Sequence, residues 1–440
     1  MAGFKLGRDS ERARDAVQDT SQSQGDFGEE SLTASRRGFL GGAGLAALGL
    51  ATGGALPLLG DTAEAAPLNL PPALPQGVRQ NAILDALPGK KPLIKLSYRP
   101  PNYETPIEYF RTAITPTDAF FVRYHLSDIP EIDPKTWKID VGGEGAAGTL
   151  QIGLDDLKAM PAVEVVAVNQ CSGNRRGLFD PHVPGVEWGY GAMGCARWKG
   201  ARLKDVLAKA GIKKEAIEVV LSGADGPPFD KTPDFIKSIP VWKAMEDTTL
   251  IAYEMNGAPL PHLNGAPARI IVPGWTGTYW MKHINSIKAV TTPDKNFWMA
   301  GAYRIPLGKF PLVARFVSQE TAVNTPITEM VVNSLISSHA DGAKVKSGTP
   351  VGGIAWDGGY GIQTVEMSFD GGKSWMPAKL GEDLGRYAFR TFSLPVKGKG
   401  KITVMARATN AIGQTQTAKL IHNPPGYHHN VIQSVSLTVA

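Results

Sequence analysis

The chain of 440 residues has only two cysteines, Cys171 and Cys195. No CxxC pair is present to hold zinc, and no CxxCH site to attach haem covalently. Two cysteines cannot make a disulfide scaffold at this length, so hydrophobic cores must hold the fold, with one Cys171–Cys195 disulfide left open. No Lys/Arg-rich block interleaves with aromatics, so nucleic acid is not an expected partner. Outside residues 38 to 60, no run is long and apolar enough to cross a bilayer. What is abundant points the other way. The 50 glycines and 33 prolines favour turns and sheet over long helices. The length allows two domains, and a net charge of +5 suits a basic face that attracts small anions.

The N-terminus reads as an address. Arg36-Arg37 is followed by Phe39-Leu40, and the stretch from 38 to 60 carries no charge. Small residues at Ala63-Glu64-Ala65, before Ala66, offer a cleavage point. The pattern resembles a twin-arginine export signal, which implies a periplasmic protein folded before export. An uncleaved membrane anchor is the other reading, disfavoured by the glycines and the small-residue exit. The expected organisation is a signal over 1–66, an irregular Pro-rich arm over 67–105, a catalytic domain over 106–311 and a sandwich over 312–440.

Local patterns support two different textures. Val163–Val168 is rich in β-branched residues and reads as a buried strand leading to Cys171. Leu203, Val206, Leu207 and Ala210 have helical spacing, and Gly211 follows as a stop. Arg269–Val272 reads as another strand. Beyond about residue 312, Val365, Met367 and Phe369 alternate before Asp370-Gly371-Gly372, and Trp375 begins a return strand. Tyr387, Phe389 and Thr391 alternate, as do Ile402, Val404 and Ala406. The class is therefore α+β: a mixed α/β domain followed by an immunoglobulin-like β-sandwich.

The chemistry concentrates at Asn169-Gln170-Cys171-Ser172-Gly173-Asn174-Arg175-Arg176. An isolated cysteine at a strand end is ordinarily a packing residue. Here two arginines sit within one loop of it, and nearby cations favour the thiolate. A thiolate is a soft ligand for a transition metal, or a nucleophile with His125 as base. Cys195 reads as a buried structural thiol. His422, His428 and His429 lack a Cys or acidic neighbour and read as an exposed polar tail rather than a metal site.

The Cys-Ser-Gly-Asn-Arg-Arg run resembles the molybdenum-ligand loop of the sulfite oxidase family, which includes plant-type nitrate reductases. Four further segments agree in the same order: Phe121-Val122-Arg123-Tyr124-His125; Glu187-Trp188 through Trp198; Ala252 through Gly257 with Arg269; and Pro273-Gly274-Trp275 with Lys282 and, downstream, Tyr303. The resemblance implies a molybdopterin-binding domain carrying molybdenum on a pterin dithiolene, with Cys171 as the protein's metal ligand. It implies an oxyanion pocket formed by Arg123, His125 and Arg176, walled by Trp188, with Tyr303 hydrogen-bonding the reacting oxygen. It places Asn264, Arg269 and Lys282 at the pterin phosphate and Asp225 at the pterin ring. Guanidinium groups suit an oxyanion because they present planar, paired donors. Two neighbouring arginines should also hold His125 neutral.

Three departures from the family pattern stand out. Asn264 replaces a phosphate-binding histidine of the animal enzymes, and Pro425 replaces a substrate-pocket arginine. A cytochrome b5-like His-Pro-Gly-Gly core is absent, so no haem is expected in this chain. The resulting expectation is a sulfite dehydrogenase that passes electrons to a separate c-type cytochrome, with a homodimer suggested by the sandwich. The rivals are oxo transfer on another small oxyanion or an S- or N-oxide, and a non-catalytic periplasmic sandwich binding module.

Overall fold

The computed structural model describes residues 83–307 and 324–440. The export-signal reading, and most of the arm, lie outside those residues. The part of the arm that is described is not irregular. Ile83–Asp85, Leu93–Ser97 and Asn102–Glu104 form strands of an antiparallel sheet whose fourth member is Val122–Arg123. Strands of three to five residues are too short to show a period of two among prolines, which hid them in the sequence. Their consequence is functional: Asn102 pairs with Arg123 and fixes the backbone that carries Arg123 and His125.

The longest hairpin joins Ala162–Gln170 to Met193–Arg202, in register from Ala162↔Ala201 to Gln170↔Met193. The β-branched run forms this strand as its composition requires. Leu250–Met255 pairs with the outer side of Met193–Arg202, and Arg269–Ile271 pairs with Leu250–Met255. A second five-stranded sheet is mixed, with Ile284–Val290 parallel to Lys138–Gly142 and antiparallel to Glu218–Gly223. The helix at Leu203–Ala210 buries the four residues that its spacing singles out, and Gly211 caps it at a φ of 71°. Such a left-handed cap carries no steric penalty at glycine.

Residues 324–440 form two antiparallel-dominated sheets face to face, with Val351, Phe392, Val365, Met367, Val404 and Leu437 packed between them. The hairpin from Ile362–Ser368 to Met376–Pro377 forms at Asp370-Gly371-Gly372. Ile402, Val404 and Ala406 lie in the strand Gly400–Asn410. Tyr387 and Phe389 instead precede the strand Arg390–Pro395. Their alternation reflects packing: Phe389 enters a shared apolar cluster with Phe110, Val168, Cys195, Ile354 and Trp356.

That cluster joins the sandwich to the long hairpin, and polar ties reinforce it. Trp356 Nε1 donates to Gln170 Oε1 at 2.6 Å. Arg175, fully buried, donates to Asn333 Oδ1 at 2.6 Å and to the Ser334 carbonyl at 2.7 Å. Its guanidinium lies 5.0 Å from the Tyr190 ring centre and 5.7 Å from that of Trp356. The sandwich thus clamps the loop that follows Cys171.

Both cysteines are free thiols, so the open disulfide does not form. Cys195 is fully buried, and burial pushes its thiol up to about 12. The histidine tail also differs from expectation. Only His422 is exposed; His428 is half-buried, and His429 is buried against Phe179, with burial pushing it down to about 3. The chain end folds back over the Cys171 loop, a long-range contact that local polarity cannot reveal. Among the described residues no helix is long and apolar enough to cross a membrane, and no cluster of His, Cys, Asp or Glu could hold a metal.

Candidate active site

Cys171 lies one residue beyond the strand Ala162–Gln170, and its N–H donates to the Ala192 carbonyl at 2.9 Å. The hairpin ladder therefore runs on through Cys171 and fixes its backbone. Gly277 brings the 273–282 loop against this strand end. A Cβ there would stand 2.4 Å from Asn169 Oδ1, so only glycine permits the approach. Ser172 Oγ donates to Thr276 Oγ1 at 2.9 Å across the same junction.

A pocket opens beside Cys171. It gathers Arg123 and His125 from the first sheet's last strand and the turn after it, Asp225 after the strand Glu218–Gly223, Arg269 at the start of its strand, Asn264 and Lys282 from flanking segments, and Tyr303. Eight of the ten candidate residues thus meet in one cavity from widely separated segments. Trp188 and Arg176 do not line it. Trp188 is fully buried in the core behind Cys171. Arg176 donates to the carbonyls of Pro425 at 3.0 Å and Val186 at 3.2 Å, and its guanidinium lies 5.2 Å from the Tyr427 ring centre. Pro425, the residue replacing an arginine, therefore supplies the carbonyl that holds Arg176 back.

At one end of the pocket, His125 Nε2 and the Tyr303 hydroxyl share a short hydrogen bond, and the charge of the nearby Arg123 acts on that hydroxyl. Because His125 pairs with Tyr303, it is not the base of a Cys171 nucleophile. The imidazole stacks on Phe235 at 3.6 Å between ring centres. Burial, then Arg123, Lys237 and Lys282, hold it well below its usual range, so it is neutral. Neutral His125 was expected from the arginines; burial is the larger cause. Burial also raises Tyr303, against the pull of Arg123. Tyr303 has a φ of 57°, a strained conformation for a bulky residue, just after a π-helical turn at Phe297–Gly301.

At the other end, Arg269 lies 5.3 Å from the Trp198 ring centre and 5.9 Å from that of Trp280. It donates to the carbonyls of Asn264 at 3.0 Å and Trp280 at 2.9 Å. Burial lowers its guanidinium to about 10, which leaves it charged at neutral pH. Lys282 donates to the Leu263 carbonyl at 3.2 Å, and burial drives its ammonium well below the usual range despite the pull of Asp225. Burial raises Asp225 to about 6, opposed first by Lys282. Two basic side chains, Arg269 and Lys282, thus face one carboxylate in a buried site, an arrangement that calls for an anion.

Sequence reasoning missed several neighbours. Asn169 and Ser172 flank Cys171 in the motif and line the pocket, so the motif itself contained the signal. Phe235, Thr278 and Lys237 carried almost none. Lys237 lies in the strand Ile236–Pro240 beside Ser238, and its ammonium, pushed down to about 7 by burial, lies 5.2 Å from the Tyr303 ring centre.

Comparison with known proteins assigns this architecture a class. Residues 125–298 match the oxidoreductase molybdopterin binding domain, and residues 324–440 match the Mo-co oxidoreductase dimerisation domain. The chain is 36% identical over 341 residues to human mitochondrial sulfite oxidase, covering 73% of this chain and 61% of that protein. It is 31% identical over 326 residues to sulfite oxidase of Arabidopsis thaliana, covering 70% of this chain and 81% of that one. The chain belongs to the sulfite oxidase family of molybdopterin oxidoreductases. It spans about three fifths of the length of the mammalian relatives it matches. The sulfane dehydrogenase SoxCD from Paracoccus pantotrophus shares the fold, with a TM-score of 0.68 at 24% identity over 87% of this chain and 94% of that one.

The pocket residues fit the cofactor that the domain match implies. Asn169 Oδ1, Arg269 Nε and Thr278 Oγ1 are buried without a hydrogen-bond partner, and all three residues line the pocket. Unpaired buried polar atoms are costly, so their presence here marks groups reserved for a ligand. A single thiol, Cys171, lines a cation-rich cavity, as a soft metal on an anionic pterin requires.

Proposed function

We propose that the chain oxidises sulfite to sulfate in the periplasm and passes the electrons, one at a time, to a separate c-type cytochrome. The observation that carries this reading is the convergence of Cys171, Arg123, His125 and Tyr303 at one end of a pocket whose other end is cationic. Molybdenum on a pterin dithiolene would supply oxo transfer and a two-electron sink. Cys171 would hold the metal, while Arg269, Lys282 and Asn264 would hold the phosphate and Asp225 the pterin ring. Arg123 attracts and orients the substrate anion through charge-assisted hydrogen bonds. His125 stays neutral and fixes the Tyr303 hydroxyl, which would hydrogen-bond the reacting oxygen. Arg176 and Trp188 support this end from behind. The proposal includes twin-arginine export and a homodimer formed through residues 324–440.

A second reading keeps the scaffold and changes the substrate to another small oxyanion or an S- or N-oxide. It is favoured by one observation: Arg176 is tied to Pro425 and Val186, which leaves Arg123 as the guanidinium at the reacting end. One experiment addresses both. Protein isolated from the periplasmic fraction is analysed for molybdenum and assayed for reduction of cytochrome c with sulfite. Molybdenum with sulfite-dependent reduction supports the first reading. Molybdenum without it leaves the second, and protein without molybdenum returns the chain to a binding role.

A further inference from the structure

Asn264 lacks the charge that a histidine would bring to a phosphate, yet the structure provides a cation beside it. Lys90 lies in the short connection between the strands Ile83–Asp85 and Leu93–Ser97. Its ammonium donates to Asn264 Oδ1 at 2.5 Å and to the Thr117 carbonyl at 2.8 Å. The side chain is buried, and among the described residues no carboxylate comes within ion-pair distance of it. A buried ammonium without a counter-ion is costly unless a ligand supplies one. Lys90 and Lys282 also repel each other, and Arg269 donates to the Asn264 backbone. Three cations from distant segments thus converge on the turn at His262–Asn264.

An ammonium has only donors, so the side-chain atom of Asn264 that faces Lys90 must be the oxygen. The amide NH2 must then point the other way. Among the described residues no protein acceptor takes it, and Asn264 lines the pocket. We infer that Lys90 is a positioning residue that, from the N-terminal sheet, locks Asn264 with its NH2 toward the cofactor phosphate. The inference rests on the molybdopterin reading above. Burial lowers the Lys90 ammonium to about 7, and an adjoining phosphate would oppose that shift.

The test reads cofactor retention, not turnover. Wild type, Lys90→Met, Lys90→Arg, Asn264→Ala and the Lys90→Met/Asn264→Ala double variant are purified with cofactor. Pterin release at a fixed temperature is followed by its fluorescence after oxidation. Lys90→Met should release pterin about ten-fold faster than wild type, as expected for loss of a charge-assisted contact. Lys90→Arg should recover most of the retention. The double variant should release no faster than about the worse single variant, because Lys90 acts through Asn264. The cofactor-free Lys90→Met protein should melt no lower than cofactor-free wild type, since a buried methionine needs no counter-ion. Wild-type release from Lys90→Met, or strictly additive effects, would overturn the inference while leaving the cofactor reading intact. Wild-type protein without pterin would overturn that reading and this inference with it.

Discussion

The two ends of the pocket are built on different principles. Around Tyr303 the side chains act on one another: His125 bonds the hydroxyl, the charge of Arg123 acts on it, and Tyr303 stacks on Tyr427 at 5.8 Å. Around Asn264 the cations are tied mainly to backbone carbonyls, those of Asn264, Trp280, Leu263 and Thr117, with one side-chain bond from Lys90 to Asn264 Oδ1. A group held by backbone is fixed in position, because its partner cannot move or change protonation. A group held by other side chains is sensitive to each of them. The first end is therefore suited to chemistry and the second to holding. Substitutions at the Tyr303 end should cost turnover and spare the cofactor, whereas those near Asn264 should release it.

The largest effect is expected from Cys171→Ser. An alkoxide is a poor ligand for a soft site. Nearly all turnover should be lost while pterin content stays near wild type, because the phosphate end is untouched. Wild-type turnover would remove Cys171 from the chemistry. Tyr303→Phe deletes one hydroxyl and little volume. Its kcat/KM should fall roughly 10- to 1,000-fold, as for loss of a hydrogen bond used mainly in the transition state. If kinetics are unchanged, the strained Tyr303 is a packing residue.

Within the reacting end, charge and hydrogen bonding separate. Arg123→Gln should raise KM for sulfite roughly 10- to 100-fold by removing a charge-assisted contact. His125→Asn should raise it less, because the imidazole it replaces is neutral. Added salt should weaken sulfite binding in wild type and in His125→Asn, and do so less in Arg123→Gln. Equal salt dependence in all three proteins would place the anion elsewhere.

How much of this could be read from the sequence depends on distance along the chain. Cys171, Arg123, His125, Arg269, Lys282 and Tyr303 stand in ordered motifs, and the fold brings all of them to one cavity. Their neighbours across the fold were hidden. Lys90 sits in a Pro-rich stretch that looked irregular, because pairing with distant partners, not local periodicity, makes its strands. Arg176 stands beside Arg175 in the motif, yet the two guanidinium groups go to different places. Arg175 enters the sandwich at Asn333, and Arg176 reaches the carbonyl of Pro425. Adjacent identical residues carry no local signal of that division. The histidine tail misled for the same reason.

The smallest effect concerns acid stability. His283 accepts from the Tyr124 hydroxyl at 2.8 Å, donates to the Ala266 carbonyl at 2.6 Å, and is pushed down to about 3, mainly by burial and then by Lys282. Unfolded, it titrates near pH 6.5, about the ordinary value. Both states are neutral above that pH, so the contribution is intact there. As pH falls below 6.5 the unfolded chain takes the proton first, and stability declines until about pH 3. The loss from this residue is about 2 kcal/mol at pH 5. Chemical denaturation from pH 8 to 5 should show that decline, and His283→Gln should flatten it. A decline of the same size in His283→Gln would assign it to other groups.

The most direct test of the central claim is X-ray absorption at the molybdenum edge, comparing purified wild type with Cys171→Ser. The account predicts molybdenum in both proteins, bound in wild type by the dithiolene sulfurs and one further sulfur. In Cys171→Ser that further sulfur should be absent while the dithiolene pair remains. An unchanged sulfur shell would contradict Cys171 as the metal's protein ligand, and a wild-type spectrum without molybdenum would contradict the assignment of the pocket itself.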